Sequence, residues 1–171
     1  PLNLRRGHEL RTTEYLQRDS TIAFWRQQAA VAEVSSDPPT RVFMARRRVR
    51  RDYNQNEIVG LFRSRGFEPH YMDDMPLEAQ IRLIASAEAI AGPTGAAWSN
   101  LLFSTRSPRC LSWLPVSERF FSAYSNLAAT VGADLRFLLY RTNVASTSEL
   151  YSARYHLDPH AVARSLDELL G

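Results

Sequence analysis

Glu88-Ala89-Ile90-Ala91-Gly92-Pro93-Thr94-Gly95-Ala96-Ala97-Trp98-Ser99-Asn100-Leu101-Leu102-Phe103 reads as a buried strand, a tight glycine turn and a short helix in immediate succession. The same alternation recurs on both sides of it. Upstream, Arg41-Val42-Phe43-Met44-Ala45 is a short apolar strand, and a helix follows from Glu57 to Arg65, with Asn54 as its cap and Gly66 as its stop. Phe67 to Met72 is a weaker strand ending at Asp73-Asp74, and Pro76 opens a helix whose apolar face is Leu77, Ile81, Leu83, Ile84 and Ala87. Downstream, Arg109 to Leu114 is a strand closed by Pro115, and the helix Arg119 to Val131 ends at Gly132. Leu135 to Tyr140 gives a fifth strand, and Asp158 and Pro159 begin a last helix running to Leu170.

Short apolar strands separated by helices specify an α/β fold with both faces of a parallel sheet covered. Right-handed crossovers make this a Rossmann-like, doubly wound sheet of about five strands, expected in the order 3-2-1-4-5. Residues 13 to 34 carry a separate helical pattern that stops at Ser35-Ser36-Asp37-Pro38-Pro39. The chain therefore divides into an N-terminal helical lead, 1–36, and the sheet domain, 37–171.

All 21 basic side chains among the 171 residues are arginine. The absence of lysine excludes a Walker-type P-loop, Schiff-base chemistry through a lysine, and a phospho-acceptor receiver domain of the usual kind. Five of the arginines, Arg46, Arg47, Arg48, Arg50 and Arg51, fall within six residues at the end of the first strand; without them the formal charge of +3 becomes −2. The single cysteine, Cys110, rules out an internal disulfide and a multi-cysteine zinc site, and it sits inside a strand as a buried, inert residue would. A reducing, cytoplasmic location is expected, with peripheral membrane association left open. No apolar run approaches the roughly 20 residues of a membrane helix. The chain begins with proline, which suggests a processed protein or an excised piece of a longer one.

In a doubly wound sheet, ligands sit beyond the carboxyl ends of the strands, where the winding reverses. The arginine run and the glycine turn both lie at that edge. Backbone amides of Gly95, Ala96 and Ala97 at a helix start can hold a phosphate, and Thr94 can add a hydroxyl donor. A tight strand-to-helix turn also needs glycine for geometry alone, so this reading stands beside the phosphate one. The fingerprint G-x-G-x-x-G is missing, which disfavours NAD and FAD. Arginine forks phosphate oxygens and keeps its charge, so Arg46 and Arg47, nearest the strand end, are the better diphosphate ligands, while Arg50 and Arg51 face solvent or cap carbonyls. The histidines, His8, His70, His156 and His160, have no metal-ligand spacing, and Asp73-Asp74 reads as a turn before Pro76 rather than a metal or ribose site. No nucleophile elbow and no carboxylate pair spaced for acid–base work is present, so no catalytic residue is assigned.

Taken in order, these segments resemble the catalytic region of glycosyltransferase family 61, which includes bacterial capsular polysaccharide biosynthesis proteins and eukaryotic xylosyl- and N-acetylglucosaminyltransferases. Ala45-Arg46 and Arg51-Asp52-Tyr53-Asn54-Gln55-Asn56-Glu57 look like the family's strand end and its Arg-x-x-Asn-Glu-x-Glu helix start, and Gln80 resembles part of its Glu-Gln segment. Gly92-Pro93-Thr94-Gly95-Ala96-Ala97-Trp98-Ser99-Asn100-Leu101-Leu102-Phe103 looks like Gly-x-His-Gly-Ala-x-x-x-Asn-x-x-Phe, and a strand ending in Pro115 with an aromatic helix containing Phe121 and Tyr124 continues the likeness. It covers about residues 40 to 140. Two positions depart from the pattern: Thr94 stands for the family's histidine and Gln55 for an acidic residue.

The resemblance implies one half of a GT-B-like architecture, in which the C-terminal Rossmann-like domain binds a nucleotide-sugar, here a UDP-sugar. It implies an inverting, metal-independent transfer to a polysaccharide or glycan acceptor, with no cofactor. The departing diphosphate would meet Arg46, Arg47, Thr94, Gly95, Ala96 and Ala97, supported by Asn54, Glu57, Gly92, Asn100, Pro115 and Tyr124. An N-terminal acceptor domain of the same protein would complete the enzyme, which would be inactive without it; residues 13 to 34 would be an interdomain helix, with Trp25 packed on that half. A different class of function is a non-catalytic Rossmann-like module whose Arg46–Arg51 run docks nucleic acid or an acidic partner. The run has no interleaved base-stacking aromatic except Tyr53, which disfavours nucleic acid.

Overall fold

The computed structural model describes residues 18–29, 40–47, 52–144, 149 and 152–171. Helix α1 spans Asp19–Ala29, and strand β1 spans Arg41–Ala45. Helix α2, Gln55–Arg63, strand β2, Glu68–Tyr71, and helix α3, Leu77–Ser86, follow. Strand β3, Ala89–Pro93, leads into a 3-10 helix, Ala96–Phe103, and then into strand β4, Arg109–Pro115. Helix α4, Ala123–Val131, strand β5, Asp134–Tyr140, and helix α5, Pro159–Leu170, complete the chain.

The five strands form one all-parallel sheet in the order β2-β1-β3-β4-β5. The α/β class and the doubly wound sheet are as the sequence predicts; the order 3-2-1-4-5 is not. Helix α3 carries the chain from β2 across β1, so β3 lands on the far side of β1, with Val42 beside Ile90 and Phe43 beside Ala91. The central strands are buried on both faces, which explains why they read as continuous apolar runs.

Side-chain alternation sorts two cores. Val42, Met44, Ile90 and Cys110 point toward α1, α3, α4 and the 3-10 helix, where Ile22, Ile84, Trp98, Leu101 and Leu127 meet them. Phe43, Ala91, Leu111 and Trp113 point the other way, onto Ile58 and Phe62 of α2 and Val162, Leu166 and Leu169 of α5. Helix α2 begins at Gln55, two residues before the expected start, and Asn54 makes no side-chain cap. The residues before α4 form a separate 3-10 turn, Val116–Glu118, so that helix starts later than Arg119. Gly132 ends it with a left-handed φ of 76°, and the Asp158 carboxylate accepts from the His160 N–H to cap α5.

Helix α1 is pinned by two residues one turn apart. Ile22 is buried in the first core, and the Arg26 guanidinium donates to the Ser104 carbonyl at 2.6 Å. Phe24 and Trp25 stay more than half exposed, in edge-to-face contact with each other. The rest of the predicted 13–34 helix lies outside the described residues, whose helices include none long and apolar enough to cross a membrane.

Candidate functional site

Because β1 and β3 are neighbours, the chain leaves their carboxyl ends in opposite directions: into α2 on one face and into the 3-10 helix on the other. That divergence opens the crevice where doubly wound sheets take ligands. The expected order would have put strand two between these ends. The observed order brings the arginine after β1 and the glycine turn after β3 side by side.

Two glycines make the contact possible. A Cβ added at Gly92 would lie 2.7 Å from the Met44 carbonyl oxygen, so only glycine lets β3 approach β1 here. A Cβ added at Gly95 would run into Nη2 of Arg46. The Arg46 guanidinium occupies that space and donates to the Thr94 carbonyl. Ala96, exposed, and Ala97, half-buried, head the first turn of the 3-10 helix beside it.

The Thr94 hydroxyl points inward. It donates to the Trp113 carbonyl at 2.6 Å, which commits its one hydrogen, so the Ser112 hydroxyl at 2.9 Å is the donor to it. The side chain is 7% exposed and serves to fasten the turn to β4. Trp98, itself buried, donates from Nε1 to the Pro93 carbonyl at 3.2 Å and holds the turn from the opposite face.

Arg47 goes elsewhere. It is exposed, forks the Asp74 carboxylate and lies over the Tyr71 ring, 4.6 Å from its centroid. Its hydrogen bond to the Asp74 carboxylate raises its pKa further. Asp74 is thus an ion-pair partner as well as a turn residue. Arg48, Arg50 and Arg51 lie outside the described residues.

The supporting residues fall into separate groups. Asn54 faces the last segment of the chain: its carboxamide donates to the Leu157 carbonyl at 3.0 Å and accepts from the Leu157 N–H at 2.9 Å, and it also donates to Glu57 at 2.7 Å. Asn100 donates to Gln80 at 2.7 Å, and Gln80 donates to the carbonyls of Met72 and Met75, both at 2.9 Å, tying the turn after β2 to the 3-10 helix. Pro115 is the buried last residue of β4, paired with Tyr140, and Tyr124 lies edge-on to Phe121 at 5.3 Å.

The structure adds residues that sequence reading passed over. Tyr155 stacks between Tyr53 and Tyr140, with centroids 5.2 and 4.2 Å away, and accepts from Trp113 Nε1 at 2.9 Å. Burial, then the neighbouring Tyr155, raises the Tyr53 pKa. Ser112 belongs to the same set. Tyr53 carried a sequence signal as an aromatic beside arginines, and Gln55 as a departure from the family's acidic residue. Cys110 is buried and its thiol pKa is pushed up by that burial. Among the described residues no group of three His, Cys, Asp or Glu could hold a metal ion. His70 is half-buried, His156 and His160 are exposed, and His8 lies outside the described residues.

Comparison with known proteins agrees with the family read from the segments, over a stretch that begins before residue 40 and ends short of Pro115, Phe121 and Tyr124. No curated protein matches the chain. The family model Glycosyltransferase 61 matches residues 8–111, which takes in the helical lead, β1 with Arg46, the Asn54-Gln55 turn, and β3 with its glycine turn. With well over half its length so matched, and with the α/β sheet observed, this chain belongs to glycosyltransferase family 61, whose enzymes in general take a sugar from a nucleotide-sugar to a glycan acceptor.

Proposed function

We propose that this chain is the donor-binding domain of a glycosyltransferase, with the diphosphate of a UDP-sugar seated between Arg46 and the turn Thr94–Ala97. The observation that carries this is the placement of the Arg46 guanidinium in the space left by Gly95, at the switch point of the sheet. A positive fork then lies beside the start of a helix. Both suit a diphosphate, and both gain strength as the leaving group takes on charge during displacement at the anomeric carbon.

In this reading the guanidinium supplies the charge that leaving-group departure requires, in place of a metal, and the transfer is inverting, as the family resemblance implies. The general base belongs to a further, acceptor-binding domain in a GT-B arrangement, to which the exposed Phe24 and Trp25 of α1 offer an apolar contact. Arg47 contributes to the shape of the edge through Tyr71 and Asp74 rather than as a ligand. The same ion pair takes one charge out of the basic run and weakens the case for a nucleic-acid-docking module.

Titration calorimetry with UDP, GDP, ADP and their sugar conjugates tests the reading. UDP binding is expected, and Arg46→Ala should weaken it by about 1.5–3 kcal/mol, as for a hydrogen bond to a charged group. Absence of binding to every nucleotide, by this chain and by a longer protein containing it, would overturn the proposal.

A further inference from the structure

We infer that Gln55 is the positioning residue for the Arg46 guanidinium. The β1 ladder ends at Ala45, paired with Tyr71. One residue later, the Gln55 carboxamide takes the place of a strand: the Arg46 N–H donates to Oε1 at 2.9 Å, and Nε2 donates to the Arg46 carbonyl at 2.9 Å. Holding the N–H and the C=O of one residue fixes the peptide planes on both sides of its Cα, and with them the direction of its Cβ. The long side chain then starts from one fixed bond, aimed across β3 toward the Thr94 carbonyl.

Gln55 is itself immobilised. It is 5% exposed, and its Oε1 also accepts from the Tyr53 hydroxyl at 3.3 Å. Two donors on one atom identify that atom as the oxygen, which settles which end of the amide faces which partner. Tyr53 in turn is held by Tyr155 on its face and by Trp113 edge-on, at 5.6 Å. A chain of contacts thus runs from the aromatic stack through Gln55 to the Arg46 backbone.

An amide supplies both halves of this bracket at any pH, whereas an acid supplies both only when protonated. A carboxylate accepts the Arg46 N–H but has no hydrogen for the Arg46 carbonyl, so its second oxygen would face a carbonyl oxygen in a buried place. Gln55→Glu, nearly isosteric, therefore breaks half the bracket in its ionised form without changing its volume, and Gln55→Met breaks both halves at any pH.

The inference bears on function through the reading of Arg46 as the diphosphate ligand, and its test separates the two. The mobility of the Arg46 Nε–H group is measured by ¹⁵N relaxation in the full chain, without nucleotide, for the wild type, Gln55→Glu and Gln55→Met, and each is then titrated with UDP. Gln55→Met removes both bonds without burying a charge and serves where Gln55→Glu does not fold. The expected result is an ordered Arg46 Nε in the wild type, mobility like that of exposed arginines in the folded variants, and a UDP dissociation constant raised about tenfold, as for loss of one well-placed interaction. An Arg46 Nε equally ordered in wild type and folded variants overturns the inference, whatever UDP does. Loss of order with no UDP affinity in the wild type, or with UDP affinity unchanged, upholds Gln55 as the positioning residue and overturns the donor-site reading instead.

Discussion

Gly92 and Met44 meet backbone to backbone: a Cβ on Gly92 would lie 2.7 Å from the Met44 carbonyl oxygen and 3.0 Å from the Met44 Cβ. Neither neighbour can rotate away, since both belong to the paired strands. Gly92→Ala should therefore prise β3 from β1 and lower stability by about 1–3 kcal/mol or more, read as a fall in the urea midpoint. An unchanged midpoint would show that the strands have room to spare.

Gly95→Ala should behave differently. Its φ of 172° is ordinary extended backbone, and the obstacle is the far end of the Arg46 side chain. The fold should survive while the guanidinium is displaced. Calorimetry should then find UDP binding weakened about as much as by Arg46→Ala, with a melting temperature close to wild type. Full affinity in Gly95→Ala would mean that the guanidinium need not occupy that space.

Thr94→Val keeps the shape of the side chain and removes its hydroxyl, leaving the Trp113 carbonyl and the Ser112 hydroxyl short of a partner inside the protein. A loss of about 1–3 kcal/mol is expected by denaturant unfolding, and Thr94→Ser should recover most of it. If serine is no better than valine, the methyl group rather than the hydroxyl holds the turn.

Arg47→Ala removes an exposed ion pair with Asp74 and a ring contact with Tyr71. Such pairs contribute little in water. Melting temperature and UDP affinity should both stay at wild-type values within error, in contrast to Arg46→Ala. A large loss of affinity would return Arg47 to the list of ligands.

Burial holds the His70 imidazole below its ordinary pKa, with Glu68 pulling weakly the other way. As pH falls, the unfolded chain takes up the proton first, so stability should be level above about pH 7 and decline through the region below the usual value of about 6.5. His70→Gln should flatten that decline when urea midpoints at about pH 7.5 and 5.5 are compared. Equal declines in both proteins would place the sensitive group elsewhere.

Periodicity and turn residues were enough to place the strands to within two residues at their ends, because the strands other than β2 are short apolar runs and turn residues such as Gly66, Asp73 and Gly132 separate the elements. The order of the strands was beyond their reach. Whether α3 crosses β1 or stays beside β2 depends on how the sheet faces pack, and nothing local to residues 77–86 records it. At the site, Arg46 and the glycine turn were legible as residue types, while the direction of the Thr94 hydroxyl was not, since it is set by Ser112 and Trp113 some twenty positions away. Asn54 looked like a helix cap for good local reasons. Its partner is Leu157, and no local pattern links residues 103 positions apart.

That separation has a consequence for the living chain. The turn bearing Arg46 leaves the ribosome long before the segment that clamps it, and at about 5–20 residues per second the hundred intervening residues take roughly 5–20 s to make. During that interval Asn54 has no Leu157 to hold, Tyr53 has no Tyr155 to stack on, and Gln55 lacks the aromatic wall behind it. The β1 side of that edge therefore matures late, finished only when residues 153–157 arrive, although Arg46 and Tyr53 to Gln55 are among the first residues of the sheet to be synthesised.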